Sequence, residues 1–313
     1  MIRLSLGGVR IASLLPAATE IVVALGLAER LVAVTFECSV TGCPVVVDTV
    51  LPPGLAPAEI DAWVRDRAAR GLPLYELDRA ALAAARPDLV LTQDLCRVCA
   101  LPAGTVTEAC AAIGIDADVL SVDPHTVDDV LATVDAIGRA AGAGDVAGAL
   151  TARLRARLAA VERAVAGRPR PRVLVLEWTD PPYLAGHWVP ELVRRAGGQP
   201  VGALPGERSV AAAWADLPAA DLVVVAPCGY DLDGALAQCA AVATQLPGVP
   251  LVAIDSAGYV VQAGPALVDG VEALAWALHP DAVPPPAAGR IARWCGSAAG
   301  VRTMPTSRNG GPR

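Results

Sequence analysis

Arg10-Ile-Ala-Ser-Leu-Leu-Pro-Ala-Ala-Thr-Glu-Ile-Val-Val-Ala-Leu-Gly-Leu27 is one βα unit written out in eighteen letters. Arg10 to Leu15 is a short apolar run of strand length, and Pro16 turns the chain. A helix follows from about Ala18 and ends at Gly26, where a left-handed cap is sterically cheap. Working outward, Leu31 to Phe36, Asp88 to Gln93 and Ala117 to Val122 are further short β-branched runs, separated by Ala-rich helical stretches. Such alternation predicts a parallel sheet with helices on its faces.

Thr126 to Ala166 reads as helix almost throughout. Thr126 and Asp129 are placed as a capping box, and Val130, Leu131, Val134 and Ile137 share one face. Gly142 and Gly144 interrupt the run, and Leu150, Leu154, Leu158, Val161 and Val165 continue at helical spacing. About 21 residues make a rod of about 32 Å, enough to join two lobes stiffly. Beyond Gly167-Arg168-Pro169-Arg170-Pro171, strands at Arg172 to Trp178, Asp221 to Ala226 and Leu251 to Asp255 again alternate with helices, the last over about Leu267 to Leu278. The expected architecture is α/β: two Rossmann-like lobes with parallel sheets, residues 1–125 and 168–280, bridged by a long helical segment at 126–167. Rising Pro, Gly, Ala and Ser content predicts a mostly disordered tail over 281–313.

Three stretches together resemble the periplasmic-binding-protein family for cobalamin and iron-siderophores. They are Arg10 to Leu27 continued by Leu31-Val-Ala-Val-Thr35, Pro171 to Gly198 ending in Glu191-Leu-Val-Arg-Arg-Ala-Gly-Gly198, and Gly264-Pro-Ala-Leu-Val-Asp-Gly270 through Leu278-His-Pro280. The resemblance covers roughly residues 10 to 280 and is closest to the signal-less branch labelled cobalamin-binding. It implies two lobes bridged by one long helix, little hinge motion, and a cobalt corrinoid or ferric chelate as ligand.

Composition narrows the chemistry. In 313 residues with a net charge of -7 there is no lysine, which excludes a Walker A loop, a pyridoxal Schiff base and any lysine nucleophile. The absence of a basic run argues against a nucleic-acid partner. No apolar run approaches a membrane span, and Met1 to Arg10 lacks the pattern of a secretory signal. On that reading the protein is expected to be cytoplasmic, and an ABC importer partner is not expected unless the true start lies upstream of Met1.

Ligands of open parallel sheets sit beyond the carboxyl ends of the strands. Those ends deliver Glu37-Cys38, Asp94-Leu-Cys96-Arg-Val-Cys99 and Pro227-Cys228-Gly-Tyr230. Cys38, Cys96, Cys99 and Cys228 form a candidate four-thiolate site for zinc or an iron-sulfur cluster, set against the ordinary use of Cys as small core filler. Cys43 is a spare ligand or a loop residue, and Cys110 and Cys239 lie in helical stretches. After Arg172 to Trp178 come Tyr183, His187 and Trp188. With Trp178, Tyr230 and Tyr259 these suit a flat macrocycle or metal chelate, His187 being a possible axial ligand. Glu37 and Asp94 could orient metal ligands. No acid, base and nucleophile constellation names a reaction. Three functions are therefore in view: a cytosolic binder of a corrinoid or metal chelate, a metalloprotein or enzyme holding zinc or iron-sulfur, and the binding subunit of an importer.

Overall fold

A computed structural model describes residues 8–38, 40–94 and 101–296 of the chain. The opening motif forms strand β1 (Ile11–Ser13) and helix α1 (Pro16–Ala24). Proline occupies the first turn of α1, where a missing N–H costs nothing. Gly26, at φ 73°, lets the chain turn out of the helix. The first lobe continues with β2 (Leu31–Thr35), β3 (Val45–Thr49), α2 (Pro57–Ala69), β4 (Tyr75–Leu77), α3 (Arg79–Ala85), β5 (Leu89–Thr92), α4 (Ala103–Ala112) and β6 (Asp118–Ser121). Its sheet runs β4-β3-β2-β1-β5-β6, with only β4 antiparallel.

The connector is two helices, α5 (Val127–Ala140) and α6 (Gly144–Val165), broken at Gly142, whose φ is 70°. They pack on each other as a helical hairpin, so the segment is not a single rod. The predicted capping box is present: the Thr126 hydroxyl accepts from Asp129 N–H at 3.1 Å, and the Asp129 carboxylate accepts from Thr126 N–H at 2.9 Å. Leu150, Leu154, Leu158, Val161 and Val165 are all buried, as their spacing required.

The second lobe comprises β7 (Arg172–Thr179), β8 (Pro182–Leu184), α7 (Val189–Arg195), β9 (Gln199–Pro200), β10 (Val210–Ala211), β11 (Leu222–Val225), α8 (Leu232–Gln245), β12 (Leu251–Ile254), α9 (Ser256–Tyr259), α10 (Leu267–Leu278) and β13 (Ile291–Arg293). Its sheet runs β10-β8-β7-β11-β12-β13, with β9 also on β7. β7, β11 and β12 are parallel, and β11 is buried at every position, as a strand covered on both faces should be. Mixed α/β architecture with two mostly parallel sheets makes these two Rossmann-like lobes.

Two departures from the sequence reading concern the ends of sheets. The stretch assigned to a disordered tail contains β13, which pairs antiparallel with β12 while the Arg293 guanidinium donates to the Ala277 carbonyl at 2.7 Å. Its apolar Ile291 and Ala292 cover a sheet edge that composition alone could not reveal. The segment from β3 to β4, with α2 between them, was not anticipated. Val45-Val-Val47 is too short a run to stand out, and in α2 only Ile60, Trp63 and Val64 form an apolar face, among charged residues.

The core explains why the lobes stay together. One continuous apolar cluster runs from β1 and α1 through α5 and α6 into α7, β7 and α10, and so belongs to both lobes. Each lobe has a second, separate cluster on the opposite face of its sheet.

Candidate functional site

Open parallel sheets hold ligands beyond the carboxyl ends of their strands, and the lobes touch beyond the ends of β3 and β7. In the first lobe β2 ends at Thr35 and the chain turns through Phe36, Glu37 and Cys38. Phe36 is exposed and lies 6.3 Å from the Tyr75 ring across β3. Glu37 is exposed overall, yet enough protein crowds its carboxyl that desolvation raises its pKa above the ordinary value. Asp94 is tied into the loop base: one carboxylate oxygen accepts from Ala103 N–H at 2.9 Å, at the start of α4, and the other from the Ser121 hydroxyl at 3.1 Å. Its own N–H donates to Asp123. Asp94 is thus committed to holding the β5, β6 and α4 ends together.

Cys38 is half-buried, with its sulfur 3.0 Å from the Thr19 hydroxyl, which also donates to Ser13 at 2.8 Å. Burial pushes the thiol pKa up, so Cys38 is a neutral thiol in this setting. The Cys43 thiol donates to the Leu31 carbonyl at 3.3 Å, and burial raises its pKa too. Cys110 and Cys239 are buried in α4 and α8, the latter pushed up to about 12 by desolvation. Cys228 is exposed on the loop after β11. Cys96 and Cys99 lie outside the described residues. Among the described residues no three His, Cys, Asp or Glu side chains converge as metal ligands. Neither zinc nor an iron-sulfur cluster therefore gains support from the described residues: Cys38 is half-buried against the cluster shared by both lobes and Cys228 is exposed.

In the second lobe Trp178 and Tyr230 form an aromatic pair, their rings 6.0 Å apart and inclined by 58°. The Tyr230 carbonyl accepts from Ala257 N–H, joining the loops that follow β11 and β12. Tyr259 lies under the Arg290 guanidinium, 4.8 Å from the ring centre. Asp255 caps α9 through Gly258 N–H at 3.0 Å. Desolvation, reinforced by Asp231, holds its pKa above the ordinary value.

Tyr183, His187 and Trp188 are reached differently from the sequence expectation. After Thr179 the chain turns into β8 and runs back beside β7, Leu184 pairing with Leu176 and Ala185 N–H donating to Val175. Trp188 is thereby buried in the joint core, its indole N–H on the Val260 carbonyl at 2.8 Å. His187, at φ 51°, lies with its ring 6.2 Å from that of His125 at the start of the connector. Its Nε2 is buried and has no hydrogen-bond partner among the described residues, and desolvation followed by His125 and Arg208 lowers its pKa. His125 Nδ1 is 3.2 Å from the Gly206 carbonyl, so the two lobes touch here.

Two lobe-to-lobe contacts escaped the sequence reading. Glu20 of α1 accepts from Ala266 N–H at 2.7 Å, just ahead of α10, and a Cβ at Gly264 would stand 2.1 Å from its other oxygen. Desolvation, with a smaller contribution from Asp269, pushes the Glu20 carboxyl up to about 7, against one opposing hydrogen bond from Ala266. The available signal was a single carboxylate inside the largely apolar helix α1. The other contact is α2, which reaches the β7–β8 hairpin: Tyr183 Oη donates to Asp61 at 3.0 Å and Trp178 Nε1 to the Pro57 carbonyl at 3.2 Å.

Two hollows lie away from the cleft. One, of about 360 Å³, sits where α6 and α7 end, beside Glu162, Arg170, Glu191 and Arg195. Two of its arginines are engaged: Arg195 with Glu191 and Glu162, Arg170 with the carbonyls of Arg194 and Gly198. The other lies at Arg10, Arg86 and Asp88, at the opposite end of the first sheet.

No protein-family model and no curated protein matches this sequence. Solved structures do match its architecture. The apo periplasmic heme-binding protein RhuT from Roseiflexus sp. RS-1 superposes with a TM-score of 0.64 at 19% identity, covering 88% of this chain and 100% of that one. A periplasmic heme-binding protein from Pseudomonas aeruginosa gives 0.61 at 20%, covering 92% and 98%. The periplasmic vitamin B12-binding protein BtuF of Vibrio cholerae gives 0.59 at 16%, covering 86% and 95%. The cytoplasmic placement expected from the first ten residues is corrected by these comparisons, since the proteins that share the architecture are periplasmic by name. Over nearly its whole length, this chain has the fold of the periplasmic heme- and vitamin B12-binding proteins.

Proposed function

We propose that the protein binds a metal-chelate macrocycle of the heme or corrinoid class between its lobes, as the binding component that serves a membrane importer. The observation that carries the reading is an architecture that matches heme- and vitamin B12-binding proteins over 86 to 92% of the chain, together with the Trp178–Tyr230 aromatic pair at the carboxyl ends of β7 and β11. Flat apolar rings suit a macrocycle, and no covalent chemistry is required of the site. Periplasmic neighbours also remove the ground for setting an importer partner aside.

Titration of the purified protein with hemin and with cyanocobalamin, followed by visible absorbance and tryptophan fluorescence, tests the reading. Saturable binding of one of them, with quenching of Trp178 emission that is absent in Trp178→Phe, is the expected outcome. No spectral change with either compound at micromolar protein sinks it.

A further inference from the structure

α2 is a thirteen-residue helix whose only buried residue is an aspartate. Helices of globular proteins are ordinarily fixed by an apolar face, because propensity alone does not hold so short a helix in water. α6, with seven buried residues, obeys that rule. α2 is held to the other lobe by polar contacts, Tyr183 on Asp61 and Trp178 on the Pro57 carbonyl, while Arg65 of the same helix pairs with the second Asp61 oxygen at 2.9 Å. The Trp178 bond is shared, since the same N–H lies 3.1 Å from the Asp180 carbonyl.

Topology puts this helix at the mouth of the cleft. β3 runs parallel to β2, so it delivers residue 50 at the ligand-binding edge. β4 is antiparallel and pairs Tyr75 with Thr49, so residue 74 returns to the same edge. Residues 50–74 are therefore one excursion that leaves and re-enters the first lobe at a single place, closed by the Val50 N–H on the Leu74 carbonyl at 3.2 Å. Gly54 at φ 81° and Gly71 at φ 64° flank the helix, and both have open space around them. Conformational freedom at both ends and polar attachment in the middle are the parts of a hinged element.

From these contacts we infer that residues 50–74 form a latch which opens and closes one side of the interlobe cleft, with Trp178 and Tyr183 as its catch on the second lobe. Two residues that the sequence offers as ligand contacts thereby act on the protein itself when the latch is shut. The inference rests on the reading of the cleft as the binding site, but not on which chelate it takes. A latch on hydrogen bonds, whose apolar residues Pro57, Ile60, Trp63 and Val64 are only half-buried, releases with less apolar exposure than the opposite side of the cleft, which is sealed by the joint core.

Amide hydrogen exchange on the ligand-free, full-length chain tests it. In the wild type, residues 57–69 are expected to exchange faster than α5 and α6, because the latch opens without global unfolding. Tyr183→Phe removes one bond to a buried carboxylate and should speed exchange in 57–69 by about tenfold or more, leaving 127–165 unchanged. Asp61→Asn, which keeps the shape and weakens the acceptor, should act in the same direction, and Trp178→Phe by less because its bond is shared. Protection of α5 and α6 in each variant certifies an intact fold. Exchange in 57–69 that matches that of α5 and α6, or that is indifferent to Tyr183→Phe and Asp61→Asn in folded protein, overturns the latch. Since no ligand is present, the latch stands or falls independently of whether hemin or cyanocobalamin binds.

Discussion

The two lobes meet on two sides of the cleft by opposite means. On the connector side, Ile21, Ile137, Leu154, Leu158, Leu192 and Val271 belong to one apolar cluster that crosses from lobe to lobe. On the other side a helix with a single buried residue is held by an aspartate, a tyrosine and an indole. Burying a Leu or Ile side chain contributes about 1.5 to 3 kcal/mol, and many such side chains act together at the joint. A hydrogen bond nets about 1 kcal/mol, or about 1.5 to 3 when one partner is charged, because water competes for both partners. The connector side therefore sets the relative position of the lobes, and the latch side sets which face of the cleft is open.

The comparison breaks hardest at the joint. Leu158→Ala, at a site 2% exposed in both lobes' shared cluster, should cost about 2 to 5 kcal/mol. Because the cluster is continuous, denaturant unfolding should remain one transition at a lower midpoint. Two resolved transitions would mean that each lobe folds on its own core and that the joint is incidental.

Glu20, which joins α1 to the start of α10, sharpens the picture. Its folded pKa of about 7 lies above the usual 4.5, so the folded chain holds the proton more tightly than the unfolded one. Stability is fully favoured below about pH 4.5 and declines as pH rises toward 7, by about 3 kcal/mol at most. In Glu20→Gln that part of the decline should vanish, seen as a smaller gap between unfolding midpoints at pH 5 and pH 8. An unchanged gap would show the carboxyl to be solvated.

At the latch the global effect should be small. Tyr183→Phe is expected to change the free energy of unfolding by about 1 kcal/mol or less, since a contact that opens locally contributes little to the cooperative transition. A loss comparable to Leu158→Ala would move α2 into the core of the first lobe. Cys38 supplies the finest reading. Its thiol is half-buried, bonded to Thr19 and raised in pKa by burial, so iodoacetamide at pH 7.5 should label it far more slowly than exposed Cys295. Tyr183→Phe should leave that rate unchanged, because Cys38 packs on the joint cluster and not on α2.

How much of this was legible beforehand depends on range. The strands β1, β2, β5, β6, β7, β11 and β12, the capping box at Thr126 and the stripe along α6 all follow from residues within a few positions of one another, and they were readable. β13 was missed because its stability comes from pairing with β12, some forty positions earlier, and not from its own short run. Trp188 shows the same limit from the other side. Its place after a strand in the sequence suggested the cleft, but β8 doubles back and delivers the indole to the core. Whether strand-end cysteines converge likewise depends on the loops and not on local pattern: Cys38 sits against Thr19 within its own lobe, and Cys96 and Cys99 lie outside the described residues.

What the sequence determines by itself is the alternation of elements and the apolar spine between them, because period and burial are local properties of a chain seeking to hide its Val, Leu and Ile. The tertiary structure alone decides the direction of the β7–β8 return, the pairing of Glu20 with the start of α10, and the meeting of Asp61 with Tyr183 across 122 positions. The last two are polar contacts of one or two groups each. They carry no periodic pattern, and their worth depends on how completely the fold excludes water around them.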